Sequence, residues 1–422
     1  MTSTGPVDTD VAIIGAGPAG LAAAIALREA GVAGVTVLER EAVAGGIPRH
    51  CHHTGYGIRD LHRFMSGPRY AQRYVARATA AGARVLTSTM VTGWTADGGM
   101  WLTSPTGRRE LHASAVLLAT GARERPRTAR MVPGDRGAGV FTTGQLQQSV
   151  YLFGQPVGTR ALVVGAEHVS YSAVMTLRHA GVDVVGMVTD RPHHQSYAAF
   201  ALATRVALRV PLHTDTRVVE VQGRPRVTGV VVEDIRTGHR RTIACDTVVF
   251  TGDWIPDHEL ARARGLVMDP GTLGPAVDAD AATEIDGLFA AGNVCHPVET
   301  ADVAALSGRA AGHAIAGWLA DRRRAARRAG VPIEVDESFA WVHPQRASTT
   351  ADLPRNKIIL RPRVFASSAP VRVMQADRCL WEGQVRHLVP TRPASIPTGW
   401  LARVDPAGTP VRIESATRGT HQ

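Results

Sequence analysis

Two stretches of the chain share one pattern of apolar and small residues. The first runs from the apolar segment Val11–Ile14 into Gly15 and a helical segment that ends near Ala30, and the second runs from Ala161–Val164 into Gly165. A buried strand, a glycine turn and a helix together form the start of a β-α-β unit. The two turns lie 150 positions apart, so the pattern predicts one module that occurs twice.

Each module continues through a stretch of alternating residues and ends in an apolar strand. The alternating segments cover residues 89–103 and 217–234, and the closing strands run into Gly121 and Gly252. Alternation interrupted by turn residues is typical of antiparallel hairpins. We therefore expect a small antiparallel meander inside each module.

The remaining segments complete the domain prediction. Residues 126–158 read as a linker, 285–291 as a further strand and 301–324 as an amphipathic helix of the first module, while prolines become frequent after residue 331. Segments 357–361 and 370–374 read as short strands. The prediction is an α/β fold with two nucleotide-binding modules, the second inserted in the first, followed by a small mainly-β domain. The predicted bounds are 8–130 with 257–330 for the first module, 155–256 for the second and 331–422 for the β domain.

Composition indicates a globular protein of more than one domain. The chain has 422 residues, of which 44% are hydrophobic and 20% charged. The polar segment 1–10 lacks a basic region, and no uncharged apolar run reaches the roughly 18 residues of a spanning helix. We expect a cytoplasmic protein without membrane insertion.

The positive charge does not indicate a nucleic-acid partner. The formal net charge is +10, yet Lys357 is the only lysine, and arginines are spread along the chain rather than gathered in one stripe. The densest run, 322–328, is predicted to end a helix, where cations complement the helix dipole. We expect no nucleic-acid binding.

The first turn carries a complete dinucleotide fingerprint. Gly15 permits the tight turn, Gly17 allows close approach of a pyrophosphate, and Gly20 allows close packing of helix and strand. The helix that begins at Pro18 directs its amides at the phosphates. Glu39 follows the next strand, 24 positions after Gly15, where an acid binds ribose hydroxyls.

Two later motifs extend this fingerprint into a family resemblance. Ala119–Ala122 and Gly287–Asn293 resemble the second and third FAD motifs of pyridine nucleotide–disulfide oxidoreductase-like flavoproteins, and the resemblance covers about residues 8–325. It implies two Rossmann-like domains and bound FAD, with the helix near Ala301–Val303 facing the flavin. Asn293 stands where the family usually has an aspartate that bonds the ribityl chain. The implied FAD-binding residues are Gly15, Gly17, Pro18, Ala19, Gly20, Glu39, Arg40, Gly46, Val91, Thr120, Gly121, Gly292 and Asn293.

The second turn departs from the fingerprint. Glu167 replaces the second glycine and Ser170 the third, and segment 189–191 contains no well-placed acid or basic pocket. A glutamate at this position intrudes on the pyrophosphate site and repels the phosphates. NAD(P)H remains possible through a rerouted loop, but the pattern favours a domain kept for packing and for covering the flavin.

The cysteines exclude a thiol relay. Cys51, Cys245, Cys295 and Cys379 form no CxxC pair, and only one of them follows Gly45–Gly46, where disulfide reductases of the family have two. No zinc or iron–sulfur spacing is present, and we predict no metal site.

Two segments contain the candidate catalytic residues. The resemblance places residues 50–56 and 293–300 beside the flavin, which makes His52 and Tyr56 available as acid–base groups and identifies four candidates. These candidates are His50, His53, His296 and Glu299. Arg49 or Arg59 would bind a substrate carboxylate. The alternative is that these histidines bond FAD phosphates or lie on a solvated loop.

A narrower resemblance points to substrate oxidation. Segments 46–50 and 292–294 are most similar to flavoprotein subunits of the opine oxidase, hydrogen cyanide synthase and dye-linked proline dehydrogenase group, although 331–422 lacks the cysteine-rich domain of some members. That resemblance implies an FAD-dependent oxidoreductase of a small amine, amino acid or hydroxy compound, which oligomerises and passes electrons to a second redox subunit or another acceptor. One alternative is an NAD(P)H-dependent FAD reductase. Another is a non-catalytic flavin-bound scaffold that docks through 331–422.

Overall fold

The computed structural model describes residues 7–197, 206, 208–297, 299–321, 330–348 and 357–415. Six helices are described: α1 (Pro18–Glu29), α2 (Gly67–Ala80), α3 (Thr143–Tyr151), α4 (His168–His179), α5 (Glu259–Ala263) and α6 (Ala301–Ala320). Short 3-10 turns cover Ile47–His50, Arg127–Arg130, Gly292–Val294 and Leu401–Arg403. The basic run 322–328 lies outside the described residues.

The strands of the two modules are as follows: β1 (Val7–Ile14), β2 (Val35–Leu38), β3 (Thr54–Tyr56), β4 (Met65–Ser66), β5 (Arg84–Leu86), β6 (Met90–Trp94), β7 (Met100–Ser104), β8 (Gly107–Leu118), β9 (Ala122–Glu124), β10 (Val140–Thr142), β11 (Arg160–Val164), β12 (Asp183–Val188), β13 (Leu212–His213), β14 (Thr216–Gln222), β15 (Gly229–Asp234), β16 (Arg240–Ala244), β17 (Thr247–Phe250), β18 (Trp254–Pro256) and β19 (Leu288–Ala290). The C-terminal strands are β20 (Val331–Val335), β21 (Phe339–His343), β22 (Arg346–Ala347), β23 (Lys357–Pro362), β24 (Ala366–Gln375), β25 (Arg378–Leu388), β26 (Ala394–Pro397) and β27 (Val411–Ser415).

The first module is built on one seven-stranded sheet. Its strand order is β5-β2-β1-β8-β7-β6, and β19 also pairs with β8. Strand β8 is long enough to serve two purposes, because its first half pairs with β7 in antiparallel fashion and its second half pairs with β1 and β19 in parallel. The predicted meander over 89–103 and the strand within 285–291 are confirmed.

Helices α1 and α6 pack closely over this sheet because their contact surfaces are made of small residues. A Cβ atom on Gly308 would lie 1.9 Å from the backbone oxygen of Ala19, and one on Gly312 would lie 2.7 Å from that of Ala23. Side chains at these positions would push the helices apart. The close contact holds the middle of α6 against the first half of α1.

The second module repeats the plan with fewer strands. Its parallel sheet has the order β10-β17-β11-β12-β13, and β14, β15 and β16 form the predicted antiparallel meander. Residues 140–151 of the predicted linker form β10 and α3, which pack within this module. The predicted domain bounds stay a prediction.

The two modules are joined by a pair of crossing strands. Strand β9 leaves the first module and pairs with β18, which returns to it. Arg130, between them, donates hydrogen bonds to the backbone oxygens of Thr251 and Gly252 at 2.8 and 2.7 Å. These bonds therefore hold the segment after β9 against the residues that follow β17.

The C-terminal region consists mainly of β-strands, as predicted. One sheet has the order β22-β20-β27-β24-β25 and the other the order β21-β23-β26, with a shared apolar core that includes Ile358, Leu360 and Trp400. Because side chains alternate along a strand, Lys357, Ile359 and Arg361 of β23 lie on the opposite face from this core. That outer face meets the first module.

Candidate active site

The glycines of the first turn differ in the space around them. Gly15 has φ +108°, and a Cβ atom there would lie 2.4 Å from the backbone oxygen of Ala119. A Cβ atom on Gly20 would lie 1.9 Å from the oxygen of Gly15, whereas one on Gly17 would meet nothing within 4 Å. Gly15 and Gly20 are therefore required by packing, and Gly17 leaves open space at the N-terminus of α1.

The acid after β2 is held beside this turn. Glu39 is buried, and its Oε2 accepts a hydrogen bond of 3.0 Å from the amide of Ala16, while Oε1 accepts one of 2.9 Å from the amide of Glu41. The neighbouring Arg40 forms an ion pair of 3.5 Å with Asp257. The carboxylate is thus oriented at the point where a ribose would follow the pyrophosphate.

A cavity of about 1630 Å³ begins at this turn and receives residues from both modules and from the C-terminal sheets. Most of the predicted FAD-binding residues line it: Gly15, Gly17, Pro18, Ala19, Glu39, Arg40, Gly46, Val91, Thr120, Gly121 and Asn293. Gly20 and Gly292 do not line it. A Cβ atom on Gly292 would lie 2.7 Å from that of Ala19, so this glycine serves the packing of the loop on α1.

Asn293 closes the loop that contains two candidate catalytic residues. Its Nδ2 donates to the backbone oxygen of Glu299 at 3.1 Å, and its Oδ1 accepts from the amide of Glu299 at 3.2 Å. These two bonds fix residues 293 and 299 next to each other. The amide that was expected to bond a ribityl hydroxyl thus also shapes the loop.

His50 and His53 both line the cavity but in different states. His50 is 1% exposed, and neither ring nitrogen has a hydrogen-bond partner among the described residues. Burial and the nearby Arg49 guanidinium lower the pKa of His50 to about 4, so the ring is neutral at pH 7. His53 is only half-buried, and its Nδ1 lies 2.9 Å from the backbone oxygen of Thr54.

His52, between these two histidines in the chain, does not line the cavity. It stacks on Tyr151, with ring centroids 4.0 Å apart.

His296 and Glu299 meet residues of the C-terminal region. Arg361 Nη2 lies 3.0 Å from Oε1 of Glu299, and the ring centroid of His343 lies 4.0 Å from that of His296. Burial raises the pKa of Glu299 to about 7, against the opposing effect of Arg361. Burial also lowers the pKa values of both histidines. The cluster therefore holds two neutral imidazoles beside a buried ion pair.

Sequence reasoning missed His343 and Arg361 as site residues. The alternation in 357–361 predicts a strand and separates Arg361 from the core positions, but it does not indicate what the outer face covers. Their position depends on the contact of two segments that are more than 40 residues apart in the chain.

The second glycine turn is filled by its own side chain. Glu167 Oε2 accepts a hydrogen bond of 2.8 Å from the amide of Ala166, and Oε1 accepts one of 2.7 Å from the hydroxyl of Thr251. The Ser170 hydroxyl lies 2.7 Å from the same hydroxyl of Thr251. A Cβ atom on Gly252 would lie 2.2 Å from Oε1 of Glu167. The Glu167 carboxylate is thus folded back against the turn and the end of β17, and its amide partner Ala166 is the counterpart of Ala16, which bonds to Glu39 in the first module.

The arginines expected to bind a substrate carboxylate already pair with carboxylates of the protein. Arg49 pairs with Glu41, and Arg59 Nη1 lies 3.1 Å from Oδ2 of Asp302 at the start of α6. Each arginine is therefore neutralised where it stands. Their role in binding a substrate carboxylate stays a prediction.

Other expected groups are placed as follows. Cys51, Cys245 and Cys295 are buried and Cys379 is exposed, each without a disulfide. Within the described ranges, no three His, Cys, Asp or Glu side chains are grouped as metal ligands. No helix in the same ranges is long and apolar enough to cross a membrane.

The fold and the first turn define a dinucleotide-binding protein with two Rossmann-like modules. The chain belongs to the pyridine nucleotide-disulphide oxidoreductase family, whose model matches residues 9–308. It is 28% identical over 322 residues to a thioredoxin reductase of Treponema pallidum (strain Nichols), with 74% of this chain and 97% of that protein covered. It is 27% identical over 328 residues to one subunit of the opine oxidase of Agrobacterium tumefaciens (strain Ach5), with 72% and 64% covered.

Solved structures show the same fold. The crystal structure of T. acidophilum thioredoxin reductase superimposes with a TM-score of 0.62 at 22% identity, covering 74% of this chain and 99% of that one. The predicted family, the two-module fold and the similarity to one subunit of an opine oxidase are confirmed. The chain is an FAD-dependent oxidoreductase.

The residues present fit FAD. One cavity is lined by Gly17 with its open space, by the oriented carboxylate of Glu39 and by buried His50, whose ring nitrogens have no partner among the described residues. A buried polar group without a partner is costly unless a ligand supplies one. Gly17 and the N-terminus of α1 would hold the pyrophosphate, and Glu39 the ribose.

Proposed function

We propose that the protein oxidises a small amine, amino acid or hydroxy compound and passes the electrons through FAD to a partner protein or another acceptor. The observation that supports it most is the contrast between the two glycine turns. Gly17 leaves open space at the first turn, whereas Glu167 holds a carboxylate against the second turn, bonded to Ala166 and Thr251. The reductant is therefore a compound that reaches the cavity without binding the second turn.

Two physical effects disfavour NAD(P)H at the second turn. The Glu167 carboxylate takes the amide of Ala166, whose counterpart Ala16 holds the ribose-binding acid Glu39 in the first module. Its charge also lies where the pyrophosphate would lie, and like charges repel strongly in a buried site. Displacing the side chain would break its bond with Thr251 as well.

The residues of the cavity have proposed roles. When bound, FAD supplies two-electron chemistry, since its ring accepts a hydride. His50 and His296 are neutral at pH 7 and can accept a proton from a substrate, while His53 can accept one through Nε2 if Nδ1 donates to Thr54. Glu299, held by Arg361, orients the loop that contains His296.

Anaerobic mixing of the purified FAD-loaded protein with NADH or NADPH tests the proposal. We expect the flavin absorbance near 450 nm to bleach slowly or not at all, and to bleach fully with at least one member of a panel of amines, amino acids and polyols. Fast bleaching by a nicotinamide would overturn the proposal. It would favour the alternative of an NAD(P)H-dependent FAD reductase, and the relative from Treponema pallidum is itself named a reductase.

A second protein is proposed as the electron acceptor. The relative from Agrobacterium tumefaciens is named as one subunit of an opine oxidase. If this chain also works with a partner, the substrate-reduced protein will be reoxidised slowly by air and faster by the partner. The non-catalytic scaffold is less favoured, because the C-terminal region that would dock supplies His343 and Arg361 to the cavity and its surroundings. Oligomerisation and the cytoplasmic location remain predictions.

A further inference from the structure

A second group of polar residues lines the same cavity where the two modules meet. Glu124 lies at the end of β9, Thr143 at the first residue of α3 and Glu167 at the start of α4, and all three line the cavity. None of the roles proposed above uses Glu124 or Thr143. Sequence reasoning gave no signal for them.

Glu124 is buried with one carboxylate oxygen unmatched. It is 7% exposed, and Oε2 accepts a hydrogen bond of 3.0 Å from the amide of Gly144, but Oε1 has no hydrogen-bond partner among the described residues. Thr143 is 1% exposed, and its hydroxyl lies beside this carboxylate, where it can donate to it. One buried carboxylate oxygen thus faces the cavity with at most the neighbouring Thr143 hydroxyl as its donor among the described residues.

The charge around Glu124 is negative. The Glu167 carboxylate repels a negative charge on Glu124, and the Arg130 guanidinium, which donates to the backbone oxygens of Thr251 and Gly252, attracts it. Burial and Glu167 raise the pKa of Glu124 to about 7, while Gly144, Thr143 and Arg130 oppose the shift. Above this pKa the Glu124 carboxylate adds a second negative charge beside Glu167, and Arg130, the cation that opposes them, also pairs with Asp253 at 3.9 Å.

A buried carboxylate oxygen without a partner favours a charged donor. Hydrogen bonds between ionised groups are stronger than neutral ones, and an unpaired buried charge is costly. A hydroxyl ligand would offer one neutral donor, whereas an ammonium offers several donors and cancels the excess charge. The buried carboxylate therefore favours a ligand with a protonated nitrogen over one with a neutral hydroxyl.

We propose that Glu124, with Thr143 beside it, binds the protonated nitrogen of a small amine substrate. The inference rests on the proposed function, since it assigns a class to the compound that this cavity oxidises. Glu167 contributes negative charge to the site and stays bonded to Ala166 and Thr251.

The test uses a cation that binds but cannot be oxidised. In tert-butylamine the carbon that bears nitrogen has no hydrogen, so no hydride can leave it, and tert-butanol is the neutral analogue of the same shape. FAD-loaded protein is titrated with each compound at pH 8, where Glu124 is ionised, and the change in the visible flavin spectrum is recorded. We expect a saturable change with tert-butylamine and none with tert-butanol.

Variants assign this binding to Glu124. We expect Glu124→Gln to weaken tert-butylamine binding at least tenfold and Thr143→Val at least threefold, while Glu110→Gln, outside the cavity on β8, leaves it unchanged. The affinity of each variant for tert-butylamine is compared per bound FAD, after its FAD content is measured. If Glu124→Gln does not retain FAD, the affinity of Thr143→Val tests the subsite.

Three results would overturn the subsite: no response of the wild type, equal binding of tert-butanol, or variants within twofold of the wild type. Fast bleaching by NADH is a separate result. It would contradict the proposed function without altering the titration.

Discussion

Arg361 Nη2 lies 3.0 Å from Oε1 of Glu299, and neither side chain is more than a tenth exposed. Arg361 belongs to strand β23 of the C-terminal region, and Glu299 ends the loop after the third FAD motif. One buried ion pair therefore joins the C-terminal sheet to the loop of the first module. Beside it, the guanidinium carbon of Arg361 lies 4.8 Å from the ring centroid of Trp341.

We predict that Arg361→Met destabilises the protein by about 3–5 kcal/mol at pH 8, where Glu299 is ionised, because it leaves this carboxylate buried without a cation, and by less at pH 5, where Glu299 is protonated. The double variant Arg361→Met with Glu299→Gln should recover part of this loss. Arg372→Met is the control, since its pair with Glu382 is exposed and such pairs contribute about 1 kcal/mol or less. Urea unfolding followed by tryptophan fluorescence measures these differences. Equal effects of the two single arginine variants would contradict the prediction.

Glu299 also predicts a pH dependence. Its pKa in the folded protein is raised to about 7 from the ordinary value of 4.5, chiefly by burial. Ionisation is thus harder in the folded state, and the contribution of the protonated group to stability is present below pH 4.5 and is lost as the pH rises to about 7. The stability of the wild type relative to Glu299→Gln should fall over this range. Glu124 titrates in both proteins and cancels in the difference. Melting temperatures from pH 4.5 to 8 measure it, and a constant difference would refute the assignment.

The glycine turn gives a matched pair of variants. Gly17→Ala adds a methyl group where nothing lies within 4 Å, so the protein without FAD should keep its stability while FAD binding weakens at least tenfold. Gly20→Ala places a methyl group 1.9 Å from the backbone oxygen of Gly15, and we expect it to cost about 1–3 kcal/mol of stability. FAD content and the melting temperature of the FAD-free protein separate the two effects. Similar losses of stability in both variants would contradict this assignment.

The sequence predicts the modules well because their signals are local. Gly15, Gly165 and the strands before them lie within about ten residues in each module, and the motif near Gly121 repeats near Gly252. The local pattern also identifies Glu167 as a departure from the fingerprint. Its bond with the Thr251 hydroxyl, 84 positions later in the chain, is visible only in the fold.

The part of the site that sequence reasoning missed depends on contacts between distant segments. Alternation places Arg361 on one face of β23, yet the partner of that face, Glu299, lies 62 positions earlier. The same limit applies to His52, which was a candidate acid–base group and instead stacks on Tyr151. Residue type indicates what a side chain can do, and the packing of domains decides which side chains reach the cavity.

Restoring the second fingerprint should restore nicotinamide reactivity in part. The double variant Glu167→Gly with Ser170→Gly removes the carboxylate that fills the turn, and we expect the rate of flavin reduction by NADH to rise at least tenfold. Glu167→Gln keeps the volume of the side chain and removes its charge. A faster rate in this variant would therefore show that charge repulsion, rather than the bulk of the side chain, limits nicotinamide binding. Anaerobic stopped-flow absorbance measures both rates. If the double variant reacts no faster than the wild type, Glu167 is not what limits nicotinamide binding.

The cysteines allow a direct test of the absence of a thiol relay. Cys379 is exposed, whereas Cys51, Cys245 and Cys295 are buried, and burial raises the pKa of Cys51 and of Cys245 to about 11. Only a thiolate reacts quickly with Ellman's reagent, so the native protein should release about one equivalent of thionitrobenzoate per chain. Cys379→Ser should reduce this to near zero, and unfolding in guanidinium chloride should expose the remaining three thiols. Reduction of the FAD-loaded protein with dithionite should leave the native count unchanged, because no cysteine pair is present to accept electrons. An increase of two thiols after reduction would show a redox-active disulfide. That result would contradict the absence of a thiol relay and would favour disulfide reductase activity.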